Sequence, residues 1–337
     1  MIPGRRGRRP LQKSMETVNN KIIVIAGPTA SGKTRLGIEL AKTYGGEIVS
    51  ADSMQVYKRM DIGTAKADAA EQAAAVHHML DVAEPYENYS VARYVEDAGK
   101  VCDDILSRGK LPILVGGTGL YIDSLISGRD FADNQEDMSL RSELDAQFER
   151  IGGEEMLKIL SAFDPERAEK LHPSDRRRII RAIEIYKLTG ISASEHDRRT
   201  RLIPPRYDAA RIVLNYKDRA KLYERIDRRV EMMDELGLFA EVESLLNEGL
   251  SPDCTAMQAI GYKEAVQAVR GEMSRRQAIE LIQLNSRRYA KRQLTWFKRW
   301  EGAHWIEWEA QADFELARLS STKFLAARGY HDVANTL

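Results

Sequence analysis

Eight residues near the amino end constrain this chain more than any other stretch. GPTASGKT, Gly27 to Thr34, fits the pattern G-x-x-x-x-G-K-[ST]; the apolar run KIIVIAG leads into it from Lys21, and a helical pattern follows from Thr34 to Tyr44. A run apolar on both faces reads as a buried parallel strand, so the unit is a strand, a glycine loop and a helix. In that setting the glycines let the backbone curl until successive N–H groups face phosphate oxygens, and the helix amino terminus adds partial positive charge. Gly27, Pro28, Thr29, Ala30, Ser31, Gly32, Lys33 and Thr34 are therefore predicted to cradle a phosphate group. Lys33 is expected on the terminal phosphate, and the Thr34 hydroxyl is placed to ligate Mg²⁺. Such a loop specifies phosphate and leaves the reaction open.

The pattern then repeats. EIVSADS, Glu47 to Ser53, reads as a second strand and LPILVGG, Leu111 to Gly117, as a third, with a helical stretch from Val91 to Arg108 between them. Strands alternating with helices predict an α/β fold: a P-loop NTPase-like parallel sheet flanked by helices, with the active residues at the carboxyl ends of the strands. After about Asp130 the strand signal stops. Residues 135–203 are helical and polar and end at Pro204-Pro205, which predicts an inserted all-helical subdomain. ARIVLNY, Ala210 to Tyr216, resumes a strand; long helical patterns occupy Arg219 to Glu248 and Gln258 to Trp300, and HWIEW, His304 to Trp308, is a last strand. The expected division is a disordered basic tail over 1–20, with five Arg or Lys and one acid, a core of 21–132 and 211–315, an insertion of 133–210, and a tail of 316–337. Met15 is a second candidate start.

At 337 residues and 43% apolar content a substantial core is available. No apolar run approaches the roughly 18 to 20 residues of a membrane span, and none follows the basic start, so the expectation is a cytoplasmic protein with no membrane partner. Cys102 and Cys254 stand far apart without metal-ligand spacing and read as packing residues. Equal numbers of basic and acidic side chains, 51 each, argue against indiscriminate nucleic-acid binding and direct attention to local charge.

Asp52 follows the second strand directly and projects toward the phosphate site. It reads as an outer ligand of Mg²⁺, as a general base, or as a helix N-cap. Two basic stretches stand out. Arg176 to Arg181 holds four arginines in six residues, and His172 to Arg206 holds nine Arg or Lys against four acids; Arg287 to Trp300 holds six basic residues and no acid, with aromatics interleaved. Such surplus suits a phosphate backbone, and Arg with aromatics suits splayed bases, although a charged helix face is more often merely solvated. His77 and His78, taken as neighbours on a helix, diverge by about 100° and make a poor metal site.

Taken in order, GPTASGKT, DSMQVYKRMDIGTAK from Asp52, HHMLDVAEPYENYSVARY from His77, LVGGTGLY from Leu114, DRRRIIRAIE from Asp175, and AIGYKE with RRYAKRQLTWFKR beyond Ala259 resemble the tRNA dimethylallyltransferases over most of the chain. The resemblance implies that the loop holds dimethylallyl diphosphate and that the dimethylallyl group passes to N6 of adenosine 37 in tRNA, releasing pyrophosphate, with Mg²⁺ as cofactor. It implies Asp52 as the base, Lys33 on the diphosphate, and Thr118 as the residue positioning the amine and the diphosphate; the plainer alternative for Thr118 is a strand-terminal cap. It also implies tRNA contacts at Asp52, Ser53, Met54 and Gln55, at Arg177, Arg178, Ile179, Ile180 and Arg181, at Arg287, Arg288, Lys291 and Arg292, and at Arg141 on the first helix of the insertion. The bacterial form is expected, since two cysteines exclude the zinc finger of eukaryotic relatives, and a monomer is expected. Three other activities fit parts of the chain: an ATP-using kinase of a small metabolite, a noncatalytic RNA-binding module, and prenylation of free adenine nucleotide. The basic insertion and carboxyl-terminal helix favour a large anionic acceptor over the last.

Overall fold

The computed structural model describes residues 20–128 and 138–331. Its first strand, β1, Lys21–Ala26, shows why an apolar run is needed there: Ile22, Val24 and Ala26 enter the core on one face of the sheet, Ile23 and Ile25 the core on the other, and all are fully buried. α1, Lys33–Tyr44, follows the glycine loop. Next come β2, Glu47–Ser50, a short α2, Ala69–Ala74, and β3, the two residues His77–His78. α3, Val91–Ser107, is capped by the Ser90 hydroxyl, which accepts from Arg93 N at 3.2 Å, and it buries Tyr94, Val95, Ala98, Cys102 and Ile105 at helical spacing. β4, Pro112–Gly116, and α4, Gly119–Ser127, complete the first half.

The insertion contains α5, Met138–Ser161, broken at Gly152, then α6, Pro165–Glu169, α7, Arg176–Thr189, and α8, Ala193–Leu202. These helices close on a core of their own, in which Leu144, Met156, Leu160, Ile179, Ile180 and Ile183 meet. The chain then returns beside the point where it left, Arg206 N donating to Ile126 O at 2.9 Å. β5, Asp208–Tyr216, is followed by α9, Arg219–Leu236, α10, Leu238–Asn247, α11, Tyr262–Val269, α12, Arg275–Phe297, β6, His304–Trp308, and α13, Phe314–Ala327. The six strands among the described residues form one sheet in the order β3-β2-β4-β1-β5-β6, every neighbouring pair parallel. Parallel pairing puts all the carboxyl ends on one side, where the loops after β1, β2 and β4 converge.

Several sequence expectations change. His77 and His78 form an edge strand rather than a helical turn, paired with Ile48 and Val49. There the His78 ring lies 2.8 Å from the Glu47 carboxylate, which also accepts from Arg108 at 2.6 and 2.8 Å and from Lys110 at 2.7 Å. β5 begins at Asp208, inside the expected insertion, because Lys21 supplies a pairing partner for it. The expected boundary at 132/133 and nearly all of the basic tail, 1–20, lie outside the described residues. The expected tail from 316 is instead mostly α13, with Ala317 and Leu325 buried in the core around α1. Beyond it the Tyr330 hydroxyl reaches the carbonyl oxygens of Ile22 and Asp208, at 2.9 and 3.0 Å.

Candidate active site

The glycine loop takes its shape from its neighbours. Gly27 stands at φ 153° with its Cα so close to β5 that a Cβ would sit 2.5 Å from Leu214 O, so no other residue fits. Ala30 is held at φ 62°, a left-handed conformation costly for a residue with a side chain. The surroundings impose it: Arg225 Nε on α9 donates to Ala30 O at 3.2 Å, and Trp308 Nε1 donates to Ser31 O at 3.0 Å. On the other side Gln293 of α12 bridges two strand ends. Its Oε1 accepts from Thr29 N at 3.0 Å and its Nε2 donates to Gly117 O at 3.0 Å. Lys33 Nζ donates to Pro28 O at 2.7 Å. Burial pulls its pKa down to about 7, the neighbouring Arg229 guanidinium adds to the shift, and Asp52 opposes it. Three basic side chains, Lys33, Arg225 and Arg229, thus gather at the loop.

Asp52 enters at the end of β2. Its Oδ1 accepts from Met54 N at 2.9 Å, which makes a tight turn rather than a helix cap and leaves its second oxygen for the site. Backbone bonds join this turn to the end of β4, from Ala51 N to Val115 O at 2.9 Å and from Thr118 N to Ala51 O at 3.1 Å. Thr118 stands at the N-cap position just before α4, but its hydroxyl makes no cap bond. Instead its Oγ1 accepts from Ser53 N at 3.1 Å, and it meets the phenol of Tyr289 on α12, which also reaches Gln293. Burial, reinforced by the Asp52 charge, pushes the Tyr289 phenol up to about 12, so it stays protonated. Gln55 is fixed at both ends of its amide: Ser50 Oγ donates to Oε1 at 3.0 Å, and Nε2 donates to Thr64 O and Ala65 O at 3.3 and 3.2 Å.

A family model described as IPP transferase matches residues 55–300, and one described as Isopentenyl transferase matches 20–81. The chain belongs to the IPP transferase family. The tRNA dimethylallyltransferase of Acetivibrio thermocellus is 48% identical over 287 residues, covering 85% of this chain and 91% of its own; that of a Thermoanaerobacter species is 44% identical over 309 residues, covering 91% and 98%. Among solved structures, the full-length tRNA isopentenylpyrophosphate transferase of Bacillus halodurans is similar with a TM-score of 0.68 at 41% identity, covering 92% of this chain and 96% of that one. A eukaryotic dimethylallyltransferase acting on tRNA gives a TM-score of 0.78 at 29% identity, covering 92% and 80%.

For an IPP transferase, the site brings together Gly27 to Thr34, Lys33, Asp52, Ser53 and Thr118, with Met54 packed partly against the core. Other expected tRNA contacts are placed differently. Arg177 and Arg178 are exposed on α7, whereas Ile179 and Ile180 are 0% and 2% exposed in the insertion core and have no surface to offer an RNA. Arg181 is paired with the buried Glu184 at 2.6 Å, and Arg287 binds both oxygens of Asp227 at 2.5 and 2.6 Å, so neither is a free cation. Arg288, Lys291 and Arg292 are exposed on α12, and Arg141 is half-buried on α5. Gln293, Tyr289, Arg225 and Arg229 were missed by sequence reasoning. A signal existed for the first two: Tyr289, Gln293 and Phe297 recur every fourth residue and share one inward face of α12.

Proposed function

We propose that this chain transfers the dimethylallyl group from dimethylallyl diphosphate to N6 of adenosine 37 in tRNA, acting as a cytoplasmic monomer. The observation that carries the reading is the tie between two loops: a phosphate cradle after β1 and a carboxylate after β2, joined through Thr118 and Gln293. N6 attacks the allylic carbon and forms the C–N bond as the C–O bond to the diphosphate breaks. The proton lost from N6 passes to the Asp52 carboxylate, which offsets the weak nucleophilicity of an amine conjugated with the ring. The electron pair leaves on pyrophosphate, and the loop N–H groups with Lys33, Arg225 and Arg229 stabilise that charge as it develops. Thr118 holds the attacking group on line between Asp52 and the cradle.

A hard oxygen donor, the Thr34 hydroxyl, suits Mg²⁺, and no group of three or more His, Cys, Asp or Glu able to hold a metal occurs among the described residues. That donor set fits an ion held largely by substrate phosphates, and when bound it would neutralise part of the diphosphate charge. No described helix is long and apolar enough to cross a membrane.

The test is incubation of the purified chain with radiolabelled dimethylallyl diphosphate and unmodified tRNA, followed by digestion to nucleosides. Label is expected on N6 of adenosine 37; RNA that stays unlabelled overturns the reading.

A further inference from the structure

Glu241 lies in the first turn of α10 and touches none of the candidate site residues. Its carboxylate nevertheless collects four donors from elsewhere in the chain. Oε2 accepts from Asp61 N and Ile62 N at 2.9 Å each, and Oε1 accepts from Gly63 N at 3.3 Å and from the Tyr262 hydroxyl at 2.6 Å. Tyr262 is fully buried, and Gly63 packs so tightly on its ring that a Cβ there would lie 2.4 Å from it. One carboxylate thus holds three successive backbone N–H groups of a loop some 180 residues away. Charge-assisted bonds of this kind are about twice as strong as neutral ones.

The held loop does its own holding one residue further on. Thr64 O and Ala65 O take the amide protons of Gln55, and Ala65 O also takes Arg229 at the longer distance of 3.5 Å. With Thr64 O and Ala65 O accepting from its Nε2 and Ser50 Oγ donating to its Oε1, the Gln55 amide is held in a single orientation, with one lone pair of Oε1 left to accept. The next residue, Lys66, ties the loop down by a second route, donating to Tyr57 O at 2.9 Å and to Asp81 at 2.7 Å, and it also pairs with the Asp61 carboxylate within the loop. Loss of Glu241 therefore loosens 61–65 without releasing the whole segment.

We propose that Glu241 is a positioning residue for the acceptor base: it clamps residues 61–63, so that Thr64 and Ala65 hold the Gln55 amide in the orientation that meets the nucleobase. This rests on the proposed function. The two shorter bonds go to Gln55 and the single long one to Arg229, so the effect falls on tRNA rather than on the prenyl diphosphate.

The test compares the full chain with Glu241→Gln, which keeps the side-chain volume and removes the charge. KM for tRNA should rise about tenfold while KM for dimethylallyl diphosphate stays within about twofold. In a Gln55→Ala background the same substitution should add less than about twofold, because the two residues act in one chain of contacts. Hydrogen exchange at the Asp61, Ile62 and Gly63 amides should speed up locally with Tm little changed. Equal rises in both KM values, full additivity with Gln55→Ala, or unaltered exchange at those amides each overturns the proposal. A wild-type chain that transfers no label sinks the proposed function instead; equilibrium tRNA binding by the same variants then reads the clamp, supporting it if Glu241→Gln weakens binding only where Gln55 is intact and overturning it otherwise.

Discussion

The loops at the carboxyl ends of the sheet and the basic face of the insertion are both rich in polar side chains, yet they are built on opposite principles. In the first, the functional groups are immobilised by backbone and buried partners: Gln293 spans Thr29 and Gly117, Thr118 takes Ser53 N, and Arg225 takes a loop carbonyl. In the second, a small apolar core presents Arg177 and Arg178 to solvent with little to hold them, Arg178 standing 3.8 Å from Asp175 with 74% of its side chain exposed. Chemistry needs reacting groups fixed before the substrate arrives, whereas attraction of a polyanion needs only charge in the right region.

The sharpest way to break that contrast is at Asp52. Asp52→Ala should lower turnover by about 10³-fold while leaving tRNA affinity within about twofold, since a positioned base acts in the transition state; single-turnover rates beside filter-binding affinities decide it, and a nearly active variant would remove Asp52 from the base role. In the insertion, Ile180→Ala should cost about 3 kcal/mol of local stability through an unfilled cavity. Limited proteolysis should then cut within 138–202 first, with tRNA affinity lost and binding of dimethylallyl diphosphate kept.

At the far end of the sheet, the Arg108 guanidinium bonded to Glu47, with Lys110 and His78 beside it, outweighs the opposing effect of burial and holds the carboxyl far below its ordinary 4.5. A depressed folded-state pKa contributes stability that is complete above the unfolded value and is lost as pH falls through it toward the folded one. Glu47→Gln should therefore cost about 2 kcal/mol at neutral pH and flatten the fall of Tm below pH 4.5, as read by thermal melts across that range. The smallest effect belongs to the exposed charge: Arg178→Ala should weaken tRNA binding by less than about 1 kcal/mol and reduce the salt slope by about one, measured from 50 to 300 mM salt. If Arg178→Ala instead abolished binding at all salt concentrations, the insertion would be as preorganised as the core.

Most of the core was legible because its signals are local. A glycine loop between strand and helix declares itself by position; Asp52 after its strand stands out with its role open, and Thr118 is singled out only by the family resemblance. The residues not read depend on distant packing. Arg225 and Arg229, four apart in a helix crowded with charge, resemble any solvated face until the fold turns them toward the loop. Ile179 and Ile180 were taken with the arginines around them as one contiguous block, although a period of 3.6 separates Arg177 and Arg178 outside from Ile179, Ile180 and Ile183 inside. α13 carries an amphipathic pattern and an Asp313 cap accepting from Leu316 N at 3.0 Å, yet nothing local tells such a helix from a tail.

That last helix has a bearing on how the protein comes into being. Trp308 steadies Ser31 across 277 residues of chain, and the Phe314 ring lies against Gly32 and beneath the Arg35 guanidinium at 4.3 Å. On the ribosome, the glycine loop emerges early and waits, at about 5–20 residues per second, for its backing to be synthesised tens of seconds later. A nascent chain should therefore acquire affinity for a prenyl diphosphate only after this last backing emerges, long after its first strand, helix and glycines have left the tunnel.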